Sequence, residues 1–237
     1  MKMRLIALLT ILLWSQSSLF SQTNNEISIG QKIYFDSEIY GKSRELFIGL
    51  PSDYNDSVKN YPVLYILFPE WSFERAKSAA DYLEGANGIP GLILVGICSE
   101  DTWNEVFPFH VDRIPRSGGG EKFRKFIGTE VIPYIESNYR ADSLRILAGF
   151  SNSAMFANYM MIYESDLFKS FILSSPMIGW GDNYVLKKSI AFFSKIQSFD
   201  KTMYLIYGDL DYDQVTAPMP QFETLLKEKA PENFNWK

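Results

Sequence analysis

Apolar and polar positions divide the chain into two kinds of stretch. Near the start, Ile27–Phe35 and Tyr40–Leu50 alternate, as in Arg44-Glu-Leu-Phe-Ile-Gly-Leu50. A period of two with one wet face predicts antiparallel strands. Further on the apolar runs are unbroken: Tyr61–Phe68, Gly91–Ile97, Leu144–Phe150, Phe171–Ser174 and Met203–Tyr207. Strands covered on both faces of a parallel sheet read this way. Helical patterns lie between them, over Phe73–Leu83, Glu121–Tyr139, Asn152–Tyr163, Asn183–Ile196 and Pro220–Lys229. In the second of these, Phe123, Phe126, Ile127, Val131 and Ile135 recur on one face, and Pro133 is expected to bend the helix. The alternation predicts an α/β three-layer sandwich, with a mainly parallel central sheet, antiparallel N-terminal strands and helices on both faces.

Three stretches stand outside this rhythm. Ser99–Gly120 has no periodicity, carries Trp103, Phe107 and Phe109, and reads as one long loop of the kind that often serves function. Asn233–Lys237 follows a helix that ends at Pro231 and reads as the start of a further extended segment. On that reading the domain is C-terminally incomplete and lacks its last strand and helix. At the other end, Lys2 and Arg4 precede an apolar run from Leu5 to Trp14, then small polar residues. Positive, apolar, then small and polar is the order of a secretory signal peptide, with cleavage expected after Ser21. The run is short for a bilayer span, which takes roughly 20 residues. Residues 1–21 are therefore assigned to a signal peptide and 22–237 to a single domain. The mature chain is expected to be secreted or periplasmic, without stable membrane insertion. An uncleaved anchor is the alternative.

Composition narrows the classes. Hydrophobic residues make up 46% of 237, enough for one large core. Net charge is −5 and no Lys/Arg stripe exists, which argues against nucleic-acid binding. Cys98 is the sole cysteine and His110 the sole histidine, so neither an internal disulfide nor a Cys/His zinc site is expected. Cys98 ends an apolar strand run and is expected to be a buried thiol. No sequence signal calls for a metal or organic cofactor.

The candidate chemistry centres on Gly149-Phe-Ser151-Asn-Ser153, which joins a buried strand to a helix. A G-x-S-x-G turn at that junction lifts a serine hydroxyl above the sheet, beside the free amides and positive end of the helix. Here Ser153 stands in place of the last glycine. An ordinary helix N-cap serine gives the same local pattern.

Longer stretches carry more information. Tyr61-Pro-Val-Leu-Tyr-Ile-Leu67, Ile89–Ile97, Ser117-Gly-Gly-Gly-Glu-Lys-Phe-Arg-Lys-Phe126, Glu130–Glu136, Leu147–Ala154 and Ser174-Ser-Pro176 follow one another in order. In these the chain resembles the putative-esterase (esterase D / enterochelin esterase-like) family of α/β hydrolases. The resemblance implies a Ser–acid–His hydrolase acting on a small-molecule or saccharide-linked carboxylic ester, with Ser151 as nucleophile and no cofactor. It implies an acid after the strand that follows the elbow. In Tyr207-Gly-Asp209-Leu-Asp211-Tyr-Asp213 the position that fits is Asp211, with Asp209 and Asp213 as alternatives. A solvated acidic turn has the same composition.

The family's histidine comes last in chain order, and no histidine follows Ser151. His110 lies upstream, so it is expected to line the pocket, and the base is expected beyond residue 237. The first oxyanion-hole position also departs from the family. Phe68-Pro-Glu-Trp71 places a proline where an N–H is needed, so the donor is assigned to Glu70 or Trp71, beside Asn152. Trp71, Trp103, Phe107 and His110 are expected to shape the substrate pocket. A non-catalytic binding protein that keeps the fold is the alternative function.

Overall fold

The computed structural model describes residues 28–237; the signal-peptide assignment lies outside them. Eight strands form one sheet in the order β1-β2-β4-β3-β5-β6-β7-β8. These are β1 Gln31–Ser37, β2 Lys42–Gly49, β3 Tyr61–Leu67, β4 Ile93–Ile97, β5 Ala141–Phe150, β6 Ser170–Ser174, β7 Ser198–Ile206 and β8 Glu232–Trp236. β1, β2 and β4 pair antiparallel, and every other pair is parallel. The alternating N-terminal runs thus form the antiparallel edge and the continuous apolar runs form the parallel centre. Tyr65, Val95, Leu147, Phe171, Leu173 and Met203 point into one large core.

The helices are α1 Phe73–Gly85, α2 Thr102–Glu105, α3 Gly120–Phe126, α4 Ile132–Asn138, α5 Asn152–Tyr163, α6 Trp180–Phe193, α7 Asp213–Thr216 and α8 Met219–Lys229. α5 is buried almost all round, which explains why its sequence shows hardly any polar face. The helix expected over Glu121–Tyr139 is interrupted by a π-turn at Ile127–Val131, where the Ile132 N–H reaches the Ile127 carbonyl. Pro133 follows at once. It has no N–H to return to the preceding turn, so the break falls where the chain must re-register.

Two expectations need correction. The loop over Ser99–Gly120 contains α2, one turn whose N-terminus is closed by the Asp101 carboxylate accepting from the Asn104 N–H. The segment near the C-terminus does not merely begin an extended run. β8 forms, pairs with β7, and Lys237 still exchanges backbone bonds with Met203 and Leu205.

The two faces of the sheet are covered unequally. Each parallel step from β5 to β8 moves the same way across the sheet, so right-handed crossovers put their helices on one side. Only α1, on the single step in the other direction, packs a second small core, against Ile66 and Leu94. Phe150, Tyr204 and Ile206 remain exposed at 64%, 44% and 58% on strands further along. The layer expected on that face is therefore partial among the described residues.

Candidate active site

The C-terminal ends of β5, β6 and β7 lie in register, with Phe150 beside Ser174 and Ser174 beside Ile206. The next residues are tied together. Ser151 N–H donates to Ser174 O at 2.9 Å and Ser175 N–H to Ile206 O at 2.6 Å. Ser151 has φ 59° and ψ −122°, and α5 begins at once after it. A side-chain-bearing residue is strained there, and such strain persists only where the surroundings enforce it. Gly149 shows what enforces it: a Cβ at that position would lie 2.4 Å from the Ser153 carbonyl oxygen. The helix therefore packs directly on the end of the strand. Ser153 closes the turn from within, its hydroxyl accepting from Phe150 N–H at 2.9 Å and donating to Phe150 O at 2.8 Å. This serine does structurally what the missing glycine would leave to the backbone.

Two amide donors border Ser151. In α5 the first intrahelical bonds come from Ala154 and Met155 to Ser151 O, so the Asn152 N–H has no helical partner. On the facing strand end, Phe68 adopts a left-handed conformation and Pro69–Trp71 forms a 3₁₀ turn. The i+3 pattern of such a turn begins with the third residue, and Pro69 has no N–H, which leaves the Glu70 amide free. Gly96 admits this turn, because a Cβ there would lie 2.5 Å from Pro69 Cβ. Phe68, Ser151 and Ser175 are all non-glycine residues with positive φ at adjoining strand ends.

A cavity of about 1120 Å³ opens at this edge. Ser151, Asn152, Glu70, Trp71 and Trp103 line it, and Leu64, Ala148 and Ile172 carry it along the less covered face of the sheet. Trp71 is 83% exposed. The Asn152 Oδ1 is buried and has no partner among the described residues. Ser151 Oγ donates to Met177 Sδ at 3.0 Å.

Asp211 follows β7 and turns its carboxylate back on the strand end, where Oδ2 accepts from Gly208 N–H at 2.9 Å. That bond and the Ser175 hydroxyl hold the carboxyl below its ordinary range. Asp209 and Asp213 have no such bonds among the described residues. Of the three aspartates left open by the sequence, Asp211 is the one joined to the strand ends beside Ser151.

Two pocket assignments are overturned. Phe107 is fully buried, stacked on Trp103 at 5.9 Å and set edge-on to Trp180, because α2 turns it into the core. His110 lies on the outer loop with its side chain 58% exposed, 3.8 Å from Asp112, and it does not line the cavity. Conversely, Met177 and Ser175 touch the candidate residues and had no role in the sequence reading. Ser174-Ser-Pro176 was visible as a motif, but its contact with Ser151 depends on the β5–β6 pairing. Cys98 is buried as expected, and burial pushes its thiol pKa up. Among the described residues no group of His, Cys, Asp and Glu side chains could hold a metal ion.

A mostly parallel sheet whose strand–turn–helix junction presents a strained serine places the chain in the α/β-hydrolase class. The chain belongs to the family described as Putative esterase, whose model matches residues 37–223. It is 35% identical over 81 residues to ferri-bacillibactin esterase BesA of Bacillus subtilis (strain 168). That stretch spans 34% of this chain and only 28% of the relative. Among solved structures it is similar to an IroE-like serine hydrolase from Shewanella oneidensis, with TM-score 0.80, 22% identity and coverage of 87% of this chain and 72% of the other. It is also similar to the BES protein from Bacillus cereus, with TM-score 0.77, 21% identity and coverage of 90% and 86%. At these identities the two structures establish the fold.

Proposed function

We propose that the Ser151 centre hydrolyses a carboxylic ester through an acyl-enzyme. The observation that carries this reading is Ser151 itself, strained at φ 59° between two amides without partners among the described residues. Ser151 Oγ attacks the ester carbonyl carbon and its proton passes to an imidazole. The oxyanion is held by the N–H groups of Asn152 and Glu70. Collapse of the adduct breaks the bond to the alcohol oxygen, which leaves with that proton. Water then attacks the acyl-enzyme, releasing the acid and restoring Ser151. The substrate is a small-molecule ester. Ferri-bacillibactin esterase, a relative by name, makes a siderophore ester the first class to assay.

Asp211 orients the imidazole in this scheme. Ser151 and Asp211 follow strands two places apart, about 10 Å at ordinary strand spacing, which leaves room for one ring between them. The histidine is proposed to lie beyond Lys237. In support, the Lys237 backbone is bonded to Met203 and Leu205, which puts it close to the sheet edge that carries Ser151 and Asp211. The charged, then apolar, then polar start of the chain supports export to the periplasm or medium. N-terminal sequencing of the exported protein should begin near Gln22.

One observation favours a second reading. The Ser151 hydroxyl is bonded to a thioether and not to a base, as suits a binding protein without turnover. Hydrolysis of p-nitrophenyl acetate in added imidazole separates the two. The ester-hydrolase reading expects a protein-dependent rate, above the hydrolysis by imidazole alone, that rises with imidazole and saturates, and that disappears in Ser151→Ala. Equal rates for the native chain and the variant at every imidazole concentration would leave only the binding role.

A further inference from the structure

The Trp103 side of the cleft has a second pocket. It is open, about 570 Å³, and lined by Trp103, Arg113, Ile114, Pro115, Arg116 and Trp180. The two indoles meet edge to face, with centroids 6.5 Å apart. The Arg113 guanidinium lies 4.1 Å over the Trp180 ring, and none of the ion pairs among the described residues includes it. Arg116 Nε lies 3.2 Å from Asp101 Oδ1. Trp180 is nine-tenths buried, and its indole Nε1 has no hydrogen-bond partner among the described residues.

The pocket is coupled to the candidate nucleophile. Trp103 lines both cavities. The Trp180 backbone amide donates to the Met177 carbonyl, and Met177 Sδ accepts from the Ser151 hydroxyl. A group held here therefore adjoins, across Trp103, the cleft that contains Ser151.

We infer that this pocket is a recognition subsite for an aromatic ring bearing a carboxylate, carried on the substrate apart from the scissile ester. The ring packs on the exposed indole surface of Trp103, and the carboxylate takes the Arg113 fork. A neutral or aliphatic group satisfies only part of this set. The link to catalysis rests on the ester-hydrolase reading; the binding site does not.

Titration calorimetry of the full chain with benzoate, benzamide and acetate tests the inference. Benzoate should bind, and benzamide and acetate should each bind about tenfold more weakly or worse. Arg113→Gln should weaken benzoate by about tenfold, and Trp103→Leu, which removes the stacking ring, by a smaller factor. Folding of each variant is checked by near-ultraviolet circular dichroism. Equal binding of the three probes overturns the inference, as does unchanged benzoate binding in folded Arg113→Gln. Arg113 would then merely pack on Trp180. Failure of the ester-hydrolase reading looks different: benzoate selectivity persists while imidazole-dependent hydrolysis is absent.

Discussion

Ser151 combines a conformation that favours glycine with a hydroxyl that glycine lacks. Its backbone strain should therefore be measurable separately from its chemistry. Ser151→Ala keeps the Cβ and the strain, and Ser151→Gly removes both. Ser151→Gly should be the more stable by about 1 kcal/mol, the strain relieved less the extra unfolded-state entropy of glycine. Urea denaturation of the two variants measures the difference, and equal midpoints would show that the turn is unstrained. At this scale much was legible. Gly149-Phe-Ser-Asn-Ser153 locates the turn because a sharp strand-to-helix junction demands small residues around it. Met177 was not legible, since nothing local to it refers to Ser151, which is 26 residues away. Phe107 was misread for a related reason. An aromatic residue in an aperiodic stretch looks like a pocket residue until a one-turn helix aims it inward.

That one-turn helix, α2, is held by a buried ion pair. Arg44 on β2 bonds Glu105 at 2.7 Å, donates also to Cys98 O, and stacks on Tyr40 and Phe126. Both side chains are almost wholly buried, at 1% and 3% exposure. The pair fixes the element that carries Thr102 and Trp103 to the cavity wall. Arg44→Met leaves a carboxylate buried without its partner and should cost about 3–5 kcal/mol in urea unfolding. Arg44→Met combined with Glu105→Leu should recover a large part of that loss. A double variant as unstable as the single one would mean that lost packing around Arg44, not the stranded charge, sets the cost. Nothing local to either residue marks this pair, because β2 and α2 come together only through the β2–β4 pairing. The sequence did identify the strands themselves, since alternating and continuous apolar runs reflect one and two covered faces.

Across the whole molecule, several surface carboxylates are held below their ordinary range. Glu45 is lowered by the Tyr34 hydroxyl and Lys32, Asp53 by Lys59 and Tyr61, and Glu223 by Lys227 and Tyr207. Asp211 is lowered by the Gly208 amide and Ser175. A lowered folded-state pKa means that the unfolded chain takes up protons first on acidification. The stabilisation is complete above the unfolded carboxylate range, above about pH 5, and is lost as pH falls through the folded values. Each group is still partly solvated and contributes little alone, so the effect is collective. The urea midpoint should be flat from pH 7 to 5 and fall below that, less steeply in Glu45→Gln/Glu223→Gln. A midpoint that stays constant to pH 3 would contradict this. The unevenly covered sheet also belongs to this scale. Handedness puts the helices of the β5-to-β8 steps on one side, and no local sequence pattern displays that outcome.

What the sequence alone determined was local or periodic: the strands and most helices, the mixed sheet, the serine turn and the family resemblance. Hydrophobic period and turn chemistry act within a few residues, so a linear reading captures them. Tertiary structure decided which distant groups meet. It distinguished Asp211 from Asp209 and Asp213, joined Ser151 to Met177, freed the Glu70 amide, moved His110 outside and Phe107 into the core, and gathered Arg113, Trp103 and Trp180 around one pocket. Those outcomes depend on strand order and crossover hand, which bring together residues that carry no mark of each other in the chain.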